Sequence, residues 1–284
     1  MGDFQAKTIL KDIIMPVLTS DDLEQMGGIF KGNGGKALAE ILMHILSIDR
    51  INELYDRNCH LSGPDFASAI LKDVGLGYSI PEMDDILPDG PFITISNHPC
   101  GHLDGIALVD IFGHLRPDYR IMANQILGRI WPLEDSMIKV VPLGNQSSAP
   151  TSASISGVKA ALKHIRAGGS LGLFPSGAVS DLSLKDRCVR DRAWQEPVIK
   201  LLMKAEVPII PVRFFDGNSL FYYSLGLIDW RIRLLRLPAE VFNKEDRIFR
   251  IGVGRIISVE EQKAYGSDTA AFGDFLRHSV YGTD

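Results

Sequence analysis

His98, Cys100, His102 and Asp104, with Asn97 beside them, crowd one short segment, Ser96-Asn97-His98-Pro99-Cys100-Gly101-His102-Leu103-Asp104-Gly105. Imidazole exchanges protons near neutral pH, and a carboxylate on its far nitrogen fixes the tautomer and stabilises the imidazolium. His98 is therefore the candidate general base and Asp104 its orienting partner, an arrangement suited to acyl transfer onto a hydroxyl or amine. Asp104 also reads as an N-cap for the helical run Gly-Ile-Ala-Leu-Val-Asp-Ile-Phe, a purely structural role. Cys100 has two readings: a nucleophile, if a positive neighbour or helix terminus generates the thiolate, or a small residue filling the turn. His98, Cys100, His102 and Asp104 are spaced too tightly for a good tetrahedral site and no second ligand cluster occurs, so no metal is expected.

No Gly-x-Ser-x-Gly elbow is present, which leaves the acceptor itself as the nucleophile and makes an esterase-like hydrolase the weaker reading. Attack on a thioester creates an oxyanion that needs N–H donors. The segment Phe174-Pro175-Ser176-Gly177-Ala178 is a candidate wall of the site, with Gly177 and Ala178 as candidate donors. Asn97, Phe174, Pro175, Ser176, Gly177 and Arg213 are the candidate substrate-binding residues. Arg213 interrupts the apolar strand Val-Pro-Ile-Ile-Pro-Val-Arg-Phe-Phe, where a charge needs a partner: a structural ion pair or an anionic group of the substrate. Asp216-Gly217-Asn218-Ser219 is a turn by composition and a possible pocket wall. Phe214, Phe215, Phe221, Tyr222, Tyr223 and Trp230 read as core, or with Trp131 as lining of an acyl tunnel or a lipid interface. Arg231, Arg233 and Arg236 alternate with Ile232, Leu234 and Leu235, which suits an anionic membrane, an acidic carrier protein or simply a solvated face. The glycines form no dinucleotide or Walker loop.

These residues must be positioned by a scaffold whose grammar changes along the chain. Residues 1–86 read as an N-terminal helical region, with apolar residues at helical spacing in 35–48 and a helix start at Ser62-Gly63-Pro64-Asp65. Residues 87–284 read as an α/β domain. Apolar strand-like runs begin near residues 91, 119, 138, 170, 207 and 247, and amphipathic helices lie between them at 104–115, 153–168 and 190–205. That alternation predicts an α/β fold with a mainly parallel central sheet flanked by helices. In such sheets ligands collect at the carboxyl ends of strands, where the His98, Phe174 and Asp216 segments all fall.

With 284 residues, 45% hydrophobic and 23% charged, the chain can bury a core without disulfides. Its net charge of −5 argues against nucleic-acid binding. Three scattered cysteines fit a reducing cytoplasm. The opening residues lack a signal-peptide pattern, and Ala6 stands where a myristoylation signal wants Ser or Thr. No apolar run approaches the roughly 18 residues needed to span a bilayer. The expectation is a cytoplasmic protein lying peripherally on the inner membrane face.

The segments NHPCGHLDG, FPSGAVS and VPIIPVRFFDGNS, in this order, resemble the glycerolipid (lysophospholipid) acyltransferase superfamily. More closely they resemble its bacterial hemolysin-like branch, related to the acyltransferases of ornithine and glycine lipids. NELYDRNCHLSGPDF and LRLPAEVFNKEDRIFRIGVGRIIS extend the similarity over most of the chain. The resemblance implies transfer of a fatty acyl group from acyl-carrier protein or a coenzyme A thioester to a lysolipid acceptor, with no bound cofactor. It also implies His98 as base and Asp104 as its orienter. Ser176 and Ala178 stand where the third motif usually carries Glu, and Pro142, Leu143 and Gly144 replace an Arg associated with acceptor phosphate. These departures motivate an alternative of another class, a catalytically weakened lipid- or acyl-carrier-binding protein of the same fold.

Overall fold

The computed structural model describes residues 40–82, 87–140 and 152–283. Its centre is a sheet of seven strands: β1 (Gly77–Ser79), β2 (Ile93–Ser96), β3 (Arg120–Asn124), β4 (Met137–Val140), β5 (Leu171–Leu173), β8 (Ile209–Phe214) and β9 (Ile248–Val253). They lie in the order β1-β9-β8-β2-β5-β3-β4. Strands β8, β2, β5, β3 and β4 pair in parallel, whereas β9 is antiparallel to β8, so β9 and its parallel neighbour β1 run the other way. A separate hairpin, β6 (Asp181–Ser183) and β7 (Cys188–Arg190), stands off the sheet.

Alternation along the strands sends side chains into two apolar layers. On one face Phe92, Ile210, Val212, Phe214 and Phe249 meet α1 (Ile48–Asn58), α2 (Gly63–Val74) and α3 (His102–Leu115). On the other, Ile93, Ile95, Leu171, Leu173 and Ile209 meet α4 (Ser152–Arg166), α5 (Glu196–Ala205) and α9 (Thr269–Tyr281). Every residue of β2 is buried, because it is covered by helices on both faces and flanked by β8 and β5. The order of strands and helices agrees with the α/β expectation.

Several details differ from the sequence reading. The helix expected over 35–48 is broken where Ser47 adopts a left-handed conformation, φ 59°, and α1 starts at Ile48; residues 35–39 lie outside the described set. The helix expected over 190–205 begins only at Glu196, just before Pro197, whose fixed φ suits a first turn. Residues 77–79, inside the region read as mainly helical, add β1 to the sheet. Tyr78 Oη donates to Asp110 Oδ2 on α3 at 2.9 Å, and Ser68 of α2 bonds the same carboxylate. Beyond β8 the chain forms α6 (Leu220–Ile228) and α7 (Trp230–Phe242), then α8 (Val259–Lys263) after β9. The aromatic run 221–230 had concealed the helical period of this hairpin. Among the described residues no helix is long and apolar enough to cross a membrane.

Candidate active site

The turn bearing His98 is fixed before its chemistry begins. Asn97 donates from Nδ2 to the Phe214 carbonyl and accepts the Phe214 N–H on Oδ1, both at 2.8 Å, continuing the β2–β8 pairing one residue past Ser96. Asn97 thus positions the turn. His98 is then gripped through its main chain. Its N–H donates to Asp191 Oδ1 at 3.2 Å, and its carbonyl accepts the Ser180 N–H at 2.9 Å. The imidazole lies over the Phe174 ring, centroids 3.9 Å apart and planes at 27°.

Asp104 meets this ring from the first turn of α3. Its Oδ2 lies 3.1 Å from His98 Nδ1 and accepts the N–H groups of Cys100 at 2.8 Å and Gly101 at 3.0 Å. Gly101, not Asp104, is the N-cap, and Asp104 occupies the third helical position. This corrects the capping expectation: the carboxylate reaches back to the cap, as an acidic residue there commonly does. Gly101 can take this place because its φ is +75°, and a Cβ there would lie 3.1 Å from Leu237. All donors converge on Oδ2, and among the described residues the buried Oδ1 has no partner. Burial therefore outweighs the hydrogen bonds and raises the Asp104 carboxyl above its usual range. The imidazole side chain is 18% exposed while Asp104 is fully buried. No described residue hydrogen-bonds His98 Nε2.

The Phe174–Ala178 turn is brought to the same place by β5 but is closed on itself. The Gly177 N–H donates to the Phe174 carbonyl at 2.9 Å and Ser176 Oγ to the Ala178 carbonyl at 2.8 Å. The Pro175 and Ser176 carbonyls accept from Gln195, at 3.0 and 3.2 Å. Gly177, at φ +65°, is needed for the turn and is not a free oxyanion donor. Arg213 donates to the Tyr281 and Thr283 carbonyls at 2.6 and 2.8 Å, which favours the structural reading of that charge. Cys100 is buried with its thiol toward the Asp216 carbonyl, and burial pushes its pKa well above the usual value, so the thiolate is disfavoured. His102 is exposed, and no group of three metal-ligating side chains forms among the described residues. Pro142, Leu143 and Gly144 lie outside the described residues.

Asp191 was not anticipated from the sequence. This buried carboxylate holds the His98 N–H, accepts from Ser180 Oγ at 2.6 Å and from Trp194 Nε1 at 3.2 Å. No local sequence signal marks it: it lies before α5, which begins at Glu196. Beside the turn lies a groove of about 730 Å³, lined by Asn97 and Pro99, by Arg190, Arg213, Asp216, Leu220 and Tyr223, and by Asp274 and Arg277 from α9. Residues on either side of His98 border it, though His98 itself does not.

Two curated proteins are similar to the chain, both "Lyso-glycine lipid O-acyltransferase". The one from Bacteroides thetaiotaomicron is 24% identical over 78% of this chain and 81% of its own. The one from Phocaeicola vulgatus is 25% identical over 76% and 77%. A solved structure, the 1-acyl-sn-glycerophosphate (LPA) acyltransferase PlsC from Thermotoga maritima, overlays with a TM-score of 0.47 at 12% identity, covering 76% of this chain and 80% of that one. The family model described as "Acyltransferase" matches residues 29–283, taking in the His98–Asp104 pair and every strand of the sheet. The protein belongs to this acyltransferase family.

Proposed function

We propose that the chain transfers a fatty acyl group from an acyl-carrier protein or coenzyme A thioester to the hydroxyl of a lysolipid. His98 acts as general base and Asp104 holds it. The observation that carries this reading is the His98 Nδ1–Asp104 Oδ2 contact of 3.1 Å, with the imidazole side chain 18% exposed. The acceptor oxygen attacks the thioester carbonyl as its proton passes to His98 Nε2, and Asp104 stabilises the imidazolium through Nδ1–H. The tetrahedral oxyanion then collapses to the ester. The C–S bond breaks, and the departing thiolate takes the proton back from His98.

The acceptor is proposed to enter through the groove, where Arg190 and Arg277 stand with Asp216 and Asp274. Both signs of charge suit an acceptor bearing a carboxylate and amide groups better than a bare phosphate, in keeping with the names of the curated relatives. The proposed setting is the cytoplasmic face of the membrane. Purified protein is expected to move radiolabelled acyl chains from a thioester to lyso-amino-acid lipids. His98→Ala, with an unchanged circular dichroism spectrum, is expected to lower kcat by about 10²–10⁴.

One observation favours a second reading, an acyl-lipid-binding protein. The Phe174–Ala178 turn presents no carboxylate and is sealed by its own hydrogen bonds. Wild type and His98→Ala that are equally inert with every acceptor, yet bind lysolipid alike, would establish it.

A further inference from the structure

The α6–α7 hairpin carries an exposed apolar surface that neither fold nor catalysis explains. Of the fourteen large apolar side chains exposed among the described residues, eight fall between Leu220 and Leu235. Scatter over the surface would not concentrate them in one hairpin, and exposed apolar side chains gathered in this way mark an interaction site. Leu220, Phe221, Leu227 and Ile228 are 74, 60, 51 and 77% exposed, and Trp230 stands at the turn between the helices, 46% exposed.

Three of the hairpin's charged groups face inward. Arg233 is 2% exposed and bonds Asp181 together with the Ser180 carbonyl, contrary to the expectation that it lies on an open basic face. Glu240 and Lys244 are buried beneath α7. Most of the described side chains that remain outside are apolar, with Ser224 exposed among them and the half-buried Arg236 at the edge, its guanidinium 5.8 Å from the Phe221 ring centroid. A protein partner needs roughly one hydrogen bond per 100–200 Å² of interface, and among the described side chains of this face Ser224 and Arg236 offer few. The acyl region of a bilayer needs none, and an aromatic side chain and an arginine at the edge suit its headgroup boundary. With 9 and 13 residues, α6 and α7 are too short to span it.

The hairpin is also rooted at the site. Leu220 lines the groove, and Tyr223 Oη donates to the carbonyl of Pro99, the residue after His98, at 2.8 Å. We propose that the outer face of the α6–α7 hairpin rests in the surface of a lipid bilayer and holds the mouth of the groove against it, so that a lysolipid enters without crossing water. The identity of the occupant rests on the lysolipid reading above.

The test is flotation of the full chain with vesicles of phosphatidylcholine and phosphatidylglycerol. Leu227→Glu/Ile228→Glu alters only exposed side chains and is expected to reduce the vesicle-bound fraction about tenfold or more, since carboxylates resist entry into the interface. Acyl transfer to lysolipid in detergent micelles is expected to stay within about twofold of wild type, and transfer to lysolipid held in vesicles to fall with binding. Flotation of His98→Ala reads binding independently of turnover. A chain that floats but transfers nothing overturns the proposed function and leaves this proposal standing. The proposal is overturned if wild type does not float or if the double variant floats equally. It is also overturned if light scattering finds a wild-type dimer that the double variant dissolves, which would put a second copy on this face.

Discussion

In Asp104 the proposed function and stability oppose each other in one side chain. Three donors meet Oδ2, Oδ1 has no partner among the described residues, and burial raises the carboxyl above the 3.8 of an exposed aspartate. Between that value and its folded value the native state holds more protons than the unfolded chain. The group's contribution to stability is therefore full below pH 3.8 and is lost as pH rises through the folded value. At neutral pH the carboxylate is a cost retained for the imidazole. Asp104→Asn is expected to lower kcat by about 10²–10⁴, because the amide cannot stabilise an imidazolium as a carboxylate does. Its melting temperature at pH 7 is expected to be no lower than wild type, since the two main-chain donors still find an oxygen. A variant that loses activity together with several degrees of melting temperature would make Asp104 mainly a helix-capping residue. His98 and Asp104 were legible in the sequence because both sit in one turn. Asp191 was not, because the ninety-odd residues between it and His98 are bridged only by the packing of the β6–β7 hairpin against the site.

At the scale of elements, the hairpin between β8 and β9 depends on a buried polar cluster at its root. Glu240 accepts Ser219 N–H and Oγ, both at 2.8 Å, and Lys244 Nζ donates to Asn218 Oδ1 at 3.1 Å and lies 3.7 Å from the Glu240 carboxylate. Both charges are almost completely buried, so removing one leaves the other without compensation. Glu240→Ala is expected to cost about 3–5 kcal/mol in urea unfolding, and Glu240→Ala/Lys244→Met to recover most of that. If the double variant is as unstable as the single, the cluster matters for shape and not for charge. The strands and the helices α3 and α4 were readable because a strand buried on both faces is a short apolar run and a surface helix is a stripe. The hairpin was not, because it exposes Leu220, Phe221, Leu227 and Ile228 and buries Arg233 and Glu240, the reverse of the pattern by which a surface helix is recognised.

For the whole molecule, the apolar layer on one face of the sheet runs without interruption from Leu54 and Phe66 of the N-terminal helices, through Leu108 and Phe112, to Phe249 and Ile251. Phe66, 2% exposed, packs edge-on against Tyr55, ring centroids 6.3 Å apart. Phe66→Ala is expected to cost about 3–5 kcal/mol of global stability by denaturant unfolding. A loss confined to the helical segment, with the sheet's transition unmoved, would show that residues before 86 fold as a separate unit. Read alone, the sequence determined the alternation of strands and helices, the parallel character of most of the sheet, and the turn in which His98 and Asp104 meet. All three follow from interactions over a few residues, namely apolar periodicity, turn chemistry and helix termini. Tertiary structure alone decided that β9 and β1 reverse direction, that Arg233 turns inward while Phe221 and Ile228 turn outward, that Arg213 serves chain carbonyls, and that Asp191 fastens the turn bearing His98. Each of these depends on which segments distant along the chain become neighbours, and burial or exposure of a charge or a ring is set by those neighbours, not by the residue's own sequence context.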